Sequence, residues 1–212
     1  MQKIDKNYWR RLAVAIIGLP VMSFGICLTV LGNMGSDPFT SFQMGVNNMT
    51  NIPLGTCSLI CNVAILVVFF FLRRDLVSIT TLIYAFGVGP FINIWNNLIF
   101  NAIDMNSLSV AVRAGSVLLG TVVMILAISW YIPANVGMQP LDIFATSVGD
   151  VFKKSYGFGL NFIYIIMFIF ALLMGSPWGF GTVVATLLVG KGVDFVVPIF
   201  APIVKKLCGI KE

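Results

Sequence analysis

Residues 11–55 slide onto residues 113–157 without a gap, a repeat with a spacing of 102. Arg11 meets Arg113, Gly18 meets Gly120, Met22 meets Met124 and Ile26 meets Ile128. Asn33, Gly35 and Pro38 then meet Asn135, Gly137 and Pro140, and Phe42, Val46 and Gly55 meet Phe144, Val148 and Gly157. After one deletion the spacing is 101, and Thr81, Val88 and Gly89 meet Thr182, Val189 and Gly190. Many of these matches are Gly, Pro and Asn, residues that fix backbone geometry rather than general hydrophobicity. Each half holds three apolar runs of bilayer-spanning length. An odd number of spans makes the second half enter from the opposite face. Inverted repeats of this kind build secondary transporters and some channels, with the ligand site near the midplane between the halves.

Hydrophobic residues make up 58% of the 212 and charged residues only 10%. A soluble domain carries about 25% charged residues, so the chain reads as a polytopic membrane protein. The formal charge of +5 is no nucleic-acid footprint, because most basic residues flank apolar runs: Lys3, Lys6, Arg10 and Arg11; Arg73 and Arg74; Lys153 and Lys154; Lys205, Lys206 and Lys211. That is the pattern of membrane-orientation signals. The first apolar run is too long for a signal peptide and lacks a small-residue cleavage site, so it reads as a retained span.

A span needs about 20 apolar residues. The chain offers six, at 10–31, 54–72, 76–100, 109–132, 157–175 and 179–204. With the N-terminus in the cytoplasm, the pairs at 73–74, 153–154 and 205–206 all fall inside, and Arg113 is the exception. Segments 32–53 and 133–156 remain. Each begins Gly-x-x-Pro, at Gly35 and Gly137, and continues as a semi-polar helical stretch. Proline suits the first turn of a helix, and Ser36 or Asp37 can cap it. The expected fold is an all-α membrane protein of six transmembrane helices in two inverted three-helix repeats, 1–105 and 106–212, forming one compact membrane domain. Each repeat has a short broken or re-entrant helix after its first span. A surface-lying amphipathic helix is the alternative for these two segments.

Polar residues in the spans supply the candidate site. Lys191 and Asp194 sit mid-way along the sixth run, three apart, where a charge costs about 2.5–3.5 kcal/mol unless paired. Pro90 and Asn93 take the matching places in the first half. Asp37 and Asp142 are the acids of the Gly-x-x-Pro segments, at non-equivalent positions: one precedes its proline and the other follows by two. Asn62 reads as interhelical glue, and Trp95, Trp130 and Trp178 as interface-belt residues. The candidate solute ligands are Asp37, Gly35, Gln139, Gly137, Asp142, Asn93, Lys191 and Asp194. Cys57 and Cys61 share a helix face, but with no histidine in the chain they read as packed apolar residues, not a metal site. There is no Walker A, Gly-x-Ser-x-Gly, HExxH or Cys-x-x-Cys. No catalytic residue, cofactor or metal is expected.

In Gly35-Ser36-Asp37-Pro38-Phe39, Gly137-Met138-Gln139-Pro140-Leu141-Asp142 and Gly175-Ser176-Pro177-Trp178-Gly179-Phe180-Gly181-Thr182, followed by Gly190, the chain resembles the YczE/YyaS/YitT family of bacterial integral membrane proteins over nearly its whole length. That family shows G-x-x-P-[FW]-D in its first half; here Thr40 stands where the acid would be, and only the second copy keeps it, as Asp142. The resemblance implies a multi-pass protein of the bacterial inner (plasma) membrane. YczE-like members are associated with pyridoxal-phosphate-responsive regulators, which implies a vitamin-like solute. The function expected is transport of a small polar, anionic or vitamin-like solute between the repeats. Helix N-termini and Lys191 would hold an anionic group, and both chain termini would be cytoplasmic. The rivals are a passive channel and a non-transporting partner or substrate-binding subunit of a larger complex. The expected partners are the lipid bilayer and a small-molecule solute, with a homodimer or a membrane-protein partner left open and no nucleic acid.

Overall fold

Apolar side chains dominate this chain, and in lipid every backbone N–H and C=O must be satisfied within the protein, which leaves helices as the economical solution for such runs. The computed structural model describes residues 7–104, 107–176 and 178–210; Lys3, Lys6, Lys211 and Pro177 lie outside them. Among the described residues there is no strand. Eight α-helices follow in order: α1 Tyr8–Leu31, α2 Pro38–Thr50, α3 Leu54–Leu72, α4 Ile79–Leu98, α5 Val110–Tyr131, α6 Pro140–Phe152, α7 Tyr156–Leu173 and α8 Phe180–Cys208. Short 3-10 turns, Phe100–Ala102 and Ile132–Ala134, extend α4 and α5. Six of the helices are long and apolar enough to cross a membrane, and the protein is a membrane protein.

The helix starts are set by local chemistry. Ser78 forms a capping box with Thr81 at α4. Ser109 and Ser155 accept from backbone N–H groups three residues on, and Asp37 accepts from the Thr40 N–H ahead of Pro38. The first five predicted spans match α1, α3, α4, α5 and α7 within three residues. The sixth was expected to stop at 204, yet α8 runs to Cys208 through Pro198 and Pro202. Its last turns are held because Val204 and Cys208 are buried in the core and Gly209 O accepts from the Asn7 amide.

Contacts recur at the repeat spacing. Arg11 donates from Nε to Ala134 O (2.8 Å) and from its Nη2 to Asn135 O. Arg113 donates from Nε to Gly32 O (2.8 Å) and from Nη2 to Asn33 O (2.7 Å). Each arginine near the start of one helix therefore ties down the carbonyls at the end of the other, so α1 and α5 run antiparallel. Their crossing is lined with small residues: a methyl on Gly25 would lie 3.0 Å from Gly120 O, and one on Gly18 would lie 3.4 Å from Ala127 O. Small residues let helix backbones approach where lipid gives no hydrophobic drive. Gly55 likewise abuts Gly89 and Asn93, and Gly157 abuts Gly190 and Asp194.

Replacing Arg113 with methionine removes two charge-assisted hydrogen bonds, each contributing about 1.5–3 kcal/mol before solvent exposure reduces it. The expected loss is about 1–3 kcal/mol, read by denaturant titration of the purified protein. No change would leave the clasp without a structural role.

The basic clusters gather at one end of the bundle. Tyr8, Phe71, Arg74 and Ser78 line one groove, and Arg73 bridges to Asp75 and, at 3.0 Å, to Asp150. The Arg73 guanidinium holds the Asp75 carboxyl below the usual carboxylate range. Arg113 lies at the other end, against Gly32 and Asn33. Trp95 and Trp130 donate to Pro20 O and Val14 O, each at 3.0 Å. These two bonds tie the helices together, and Trp178 is exposed.

Candidate functional site

The two short helices begin on matched glycines. Gly35 and Gly137 have φ of +87° and +121°, values that side-chain-bearing residues avoid. Gly35 packs on the start of α8 at Gly179 and Thr182, and Gly137 on the start of α4 at Ser78 and Thr80. Gly181 N–H donates to Met34 O at 2.8 Å and the Thr80 hydroxyl donates to Val136 O at 2.9 Å. These contacts hold the first turns of α2 and α6 inside the protein, where Pro38, Phe39 and Thr40, and Pro140, Leu141 and Asp142, are buried.

Both first turns reach one internal cavity. Fourteen of its sixteen lining residues fall into seven pairs 102 apart, with Gln43 and Val88 left over. The apolar pairs are Met22 with Met124, Ile26 with Ile128 and Phe39 with Leu141. The others are Asp37 with Gln139, Thr40 with Asp142, Ser58 with Leu160 and Asn62 with Tyr164. Each half thus supplies one carboxylate, but from neighbouring rather than equivalent positions. The first half lacks the acid at Thr40 and carries one three residues earlier.

The carboxylates are held differently. Asp37 is 2% exposed; its Oδ1 accepts from Thr40 N–H at 3.0 Å, and the Ser36 hydroxyl lies 3.4 Å from Oδ2. Ser36 is itself 2.7 Å from the Thr29 hydroxyl. Asp142 is fully buried. Its Oδ1 accepts from Gln139 Nε2 at 3.0 Å and from the Tyr156 hydroxyl at 2.7 Å. Among the described residues, no Lys or Arg lines the cavity. The centre of a water-sized sphere has about 20 Å³ to move in there, room for about one water molecule.

Of the predicted residues, Asp37, Gln139 and Asp142 line the cavity, and Gly35 and Gly137 hold the turns that bring them there. Asn93, Lys191 and Asp194 do not line it. Asn93 lies beside Gly55. The expected Lys191–Asp194 pair is corrected by the structure. Asp194 accepts from the Ser155 hydroxyl at 2.6 Å and from Gly157 N–H at 3.1 Å, so it caps α7 instead. That places it level with the first turn of α7, close to Lys153 and Lys154, and not at mid-span. Lys191, three residues earlier and about 4.5 Å away along the axis, is exposed and can snorkel toward that end. The reason is the length of α8: its 29 residues span about 43 Å, more than the hydrocarbon core of about 30 Å.

The case for an anionic group weakens with it. The positive ends of α2 and α6 are already met by Asp37 and Asp142, the protein's own carboxylates.

Reading the sequence missed Gln43, Ser58, Tyr156 and Tyr164 and misplaced Asn62. The signal was present: Asp37, Thr40 and Gln43 recur every three residues on α2, and Ser58 and Asn62 are four apart in an otherwise apolar α3. Asn62 was read as glue between helices, yet its Nδ2 donates to Ser58 O at 2.9 Å within its own helix, and the side chain faces the cavity.

No solved structure matches the chain. The uncharacterized protein YyaS of Bacillus subtilis is 27% identical over 193 residues, covering 90% of this chain and 92% of the relative. An uncharacterized protein of Haemophilus influenzae is 23% identical over 193 residues, 91% of this chain and 86% of its own. The uncharacterized membrane protein YczE of Bacillus subtilis is 25% identical over 182 residues, 85% and 82% respectively. These relatives bear out the YczE/YyaS resemblance read from the motifs. The profile of DUF6198, a family of unknown function, matches residues 9–198, and the chain belongs to that family.

Proposed function

We propose that this protein transports a small polar solute by alternating access, with its binding cavity between two inverted three-helix repeats. The observation that carries the reading is the cavity itself: fourteen of its sixteen lining residues form pairs 102 apart, one member from each half. A site on such a pseudo-axis can open to either side by rocking one half against the other. The reciprocal Arg11 and Arg113 clasps support inversion of the halves. The buried first turns of α2 and α6 support helices that re-enter the membrane from opposite faces. With about 20 Å³ of room, this is a closed conformation, and a solute enters only when the halves move. Two carboxylates on the walls and, among the described residues, no basic one favour a cationic or neutral solute over an anionic one.

The gathering of Arg73, Arg74, the start of α1 and the end of α8 at one end of the bundle supports cytoplasmic termini in a bacterial inner membrane. Single cysteines at Asn51 and at Lys153 are expected to label from opposite sides of the membrane. Labelling of both from one side would end the inverted arrangement.

A thermal-shift screen of the purified protein against vitamins, amino acids, polyamines and nucleobases tests the function, because a specific ligand stabilises by RT ln(1 + [L]/Kd). The hit is then offered to proteoliposomes. Saturable uptake is the expected result. Flux that never saturates would favour a channel, and the absence of any flux a non-transporting subunit.

A further inference from the structure

We infer that the central cavity binds one dehydrated monovalent cation, held by the second carboxylate oxygen of Asp142 and the amide oxygens of Gln43 and Asn62. The inference deepens the transport reading, since a cation at this place is positioned to couple to the solute.

Three lining residues carry a buried oxygen with no hydrogen-bond partner in the protein: Asp142 Oδ2, Gln43 Oε1 and Asn62 Oδ1. The residues are 0%, 2% and 2% exposed, and they come from α6, α2 and α3. The Asn62 assignment is fixed by its other end, where Nδ2 donates to Ser58 O at 2.9 Å and lies 3.3 Å from Ser58 Oγ. Three acceptors thus border one small space, and no hydrogen bond from the protein reaches them. Buried acceptors left in that state are costly. One water fits the space, but its two protons serve two acceptors and leave the third unmet. A cation takes lone pairs from all three at once.

The cavity is also acidic: two carboxylates line it and, among the described residues, no Lys or Arg. Asp37 is engaged in capping α2, and Asp142 Oδ1 already accepts two hydrogen bonds. The free set is one carboxylate oxygen and two neutral carbonyls, which matches a single positive charge. Magnesium requires six near-octahedral ligands and keeps several waters, for which the cavity has no room. Softer metals select thiolate or imidazole; the chain has no histidine, and no cysteine lines the cavity. Hard oxygen donors with one charge suit an alkali-metal or ammonium ion.

The test uses purified, full-length protein at constant ionic strength in the chlorides of sodium, lithium, potassium, ammonium or N-methylglucamine. One small cation is expected to raise the Tm in a saturable manner relative to N-methylglucamine. Asp142→Asn and Asn62→Leu should flatten that response, and Lys191→Met, on the exposed face of α8, should keep it. Identical melting in all five salts overturns the site, as does a response that survives both cavity variants. Should the variants fail to fold, equilibrium dialysis of the unaltered protein with the radioactive cation is expected to give one ion per chain. No stoichiometric binding overturns the proposal. Acid should displace the ion by protonating Asp142, around which the titratable groups are Tyr156, Tyr84, Tyr164 and Asp37. Stabilisation by acid with no response to any metal or ammonium ion would assign the site to a proton and overturn the cation. Binding is read without transport, so its failure leaves the solute reading standing, and failure of uptake with binding intact leaves the cation site standing.

Discussion

Replacing Gly137 with alanine is expected to destabilise the protein by about 2–4 kcal/mol, combining a disfavoured backbone with overpacking. At φ +121° an L-residue is strained, and the added methyl would overlap the Ser78 hydroxyl. That hydroxyl caps α4 through Thr81 N–H, so the clash disturbs the start of a span as well as the start of α6. Gly35→Ala should behave alike, because its methyl would overlap Thr182 Oγ1 and lie 3.1 Å from Thr182 N. Gly175 provides the control. Its φ is +65°, yet a methyl there meets nothing within 4 Å, so Gly175→Ala carries only the left-handed strain of about 1–2 kcal/mol. Denaturant titration of the three variants against the unaltered protein separates space from strain. Equal losses at Gly137 and Gly175 would mean that the packing of the short helices on α4 and α8 contributes nothing.

That ranking bears on what the residues disclosed before the structure was known. The spans were legible because lipid demands long apolar helices, and their starts were legible because Ser, Asp and Pro have fixed uses at a first turn. The repeat was legible through residues such as Gly35, Asn33 and Pro38, which mark backbone conformations that few alternatives satisfy. The observed φ of Asn33 and Asn135, +45° and +51°, shows the same turn built twice. The site was only half legible. Periodicity in a membrane does not separate a lipid-facing residue from a core residue, since both are apolar. The depth of a charge therefore had to be guessed from its position in an apolar run. Lys191 failed on that account: α8 is longer than the bilayer core, and the lysine is exposed and outside the cavity. Asn62 failed for a different reason. An amide on α3 bonds within its own helix as readily as across to another, and only three-dimensional placement shows where its free oxygen is.

The exchange of acids between the halves has a consequence for the site. Asp37 and Gln139 are equivalent by repeat, as are Thr40 and Asp142, so both halves hold one carboxylate and one neutral partner in the same two places. Their duties differ. Asp37 spends its charge on a helix cap, while Gln139 makes no side-chain cap at α6 and donates to Asp142 instead. The free carboxylate oxygen of the cavity therefore belongs to the second half alone.

Asp142→Asn is accordingly expected to lower uptake of the solute found by thermal shift far more than Asp37→Asn. Removing one partner from a buried, hydrogen-bonded charge pair costs about 2–5 kcal/mol in binding. At a factor of ten per 1.4 kcal/mol, the loss is about 30-fold or more. This holds whether Asp142 meets the solute directly or holds a coupled cation. Asparagine keeps the side-chain shape, and it removes a charge whose burial is itself expensive, so the folded protein should persist. Asp37→Asn should cost uptake little, because asparagine caps a helix about as well as aspartate. Lys191→Met should leave uptake unchanged, since the lysine is exposed and outside the cavity. The measurement is initial uptake into proteoliposomes at matched protein, with monodispersity on gel filtration as the check on folding. Full uptake by Asp142→Asn would remove the cavity from the transport path, and loss of uptake by Lys191→Met alone would move the path to the outer face of α8.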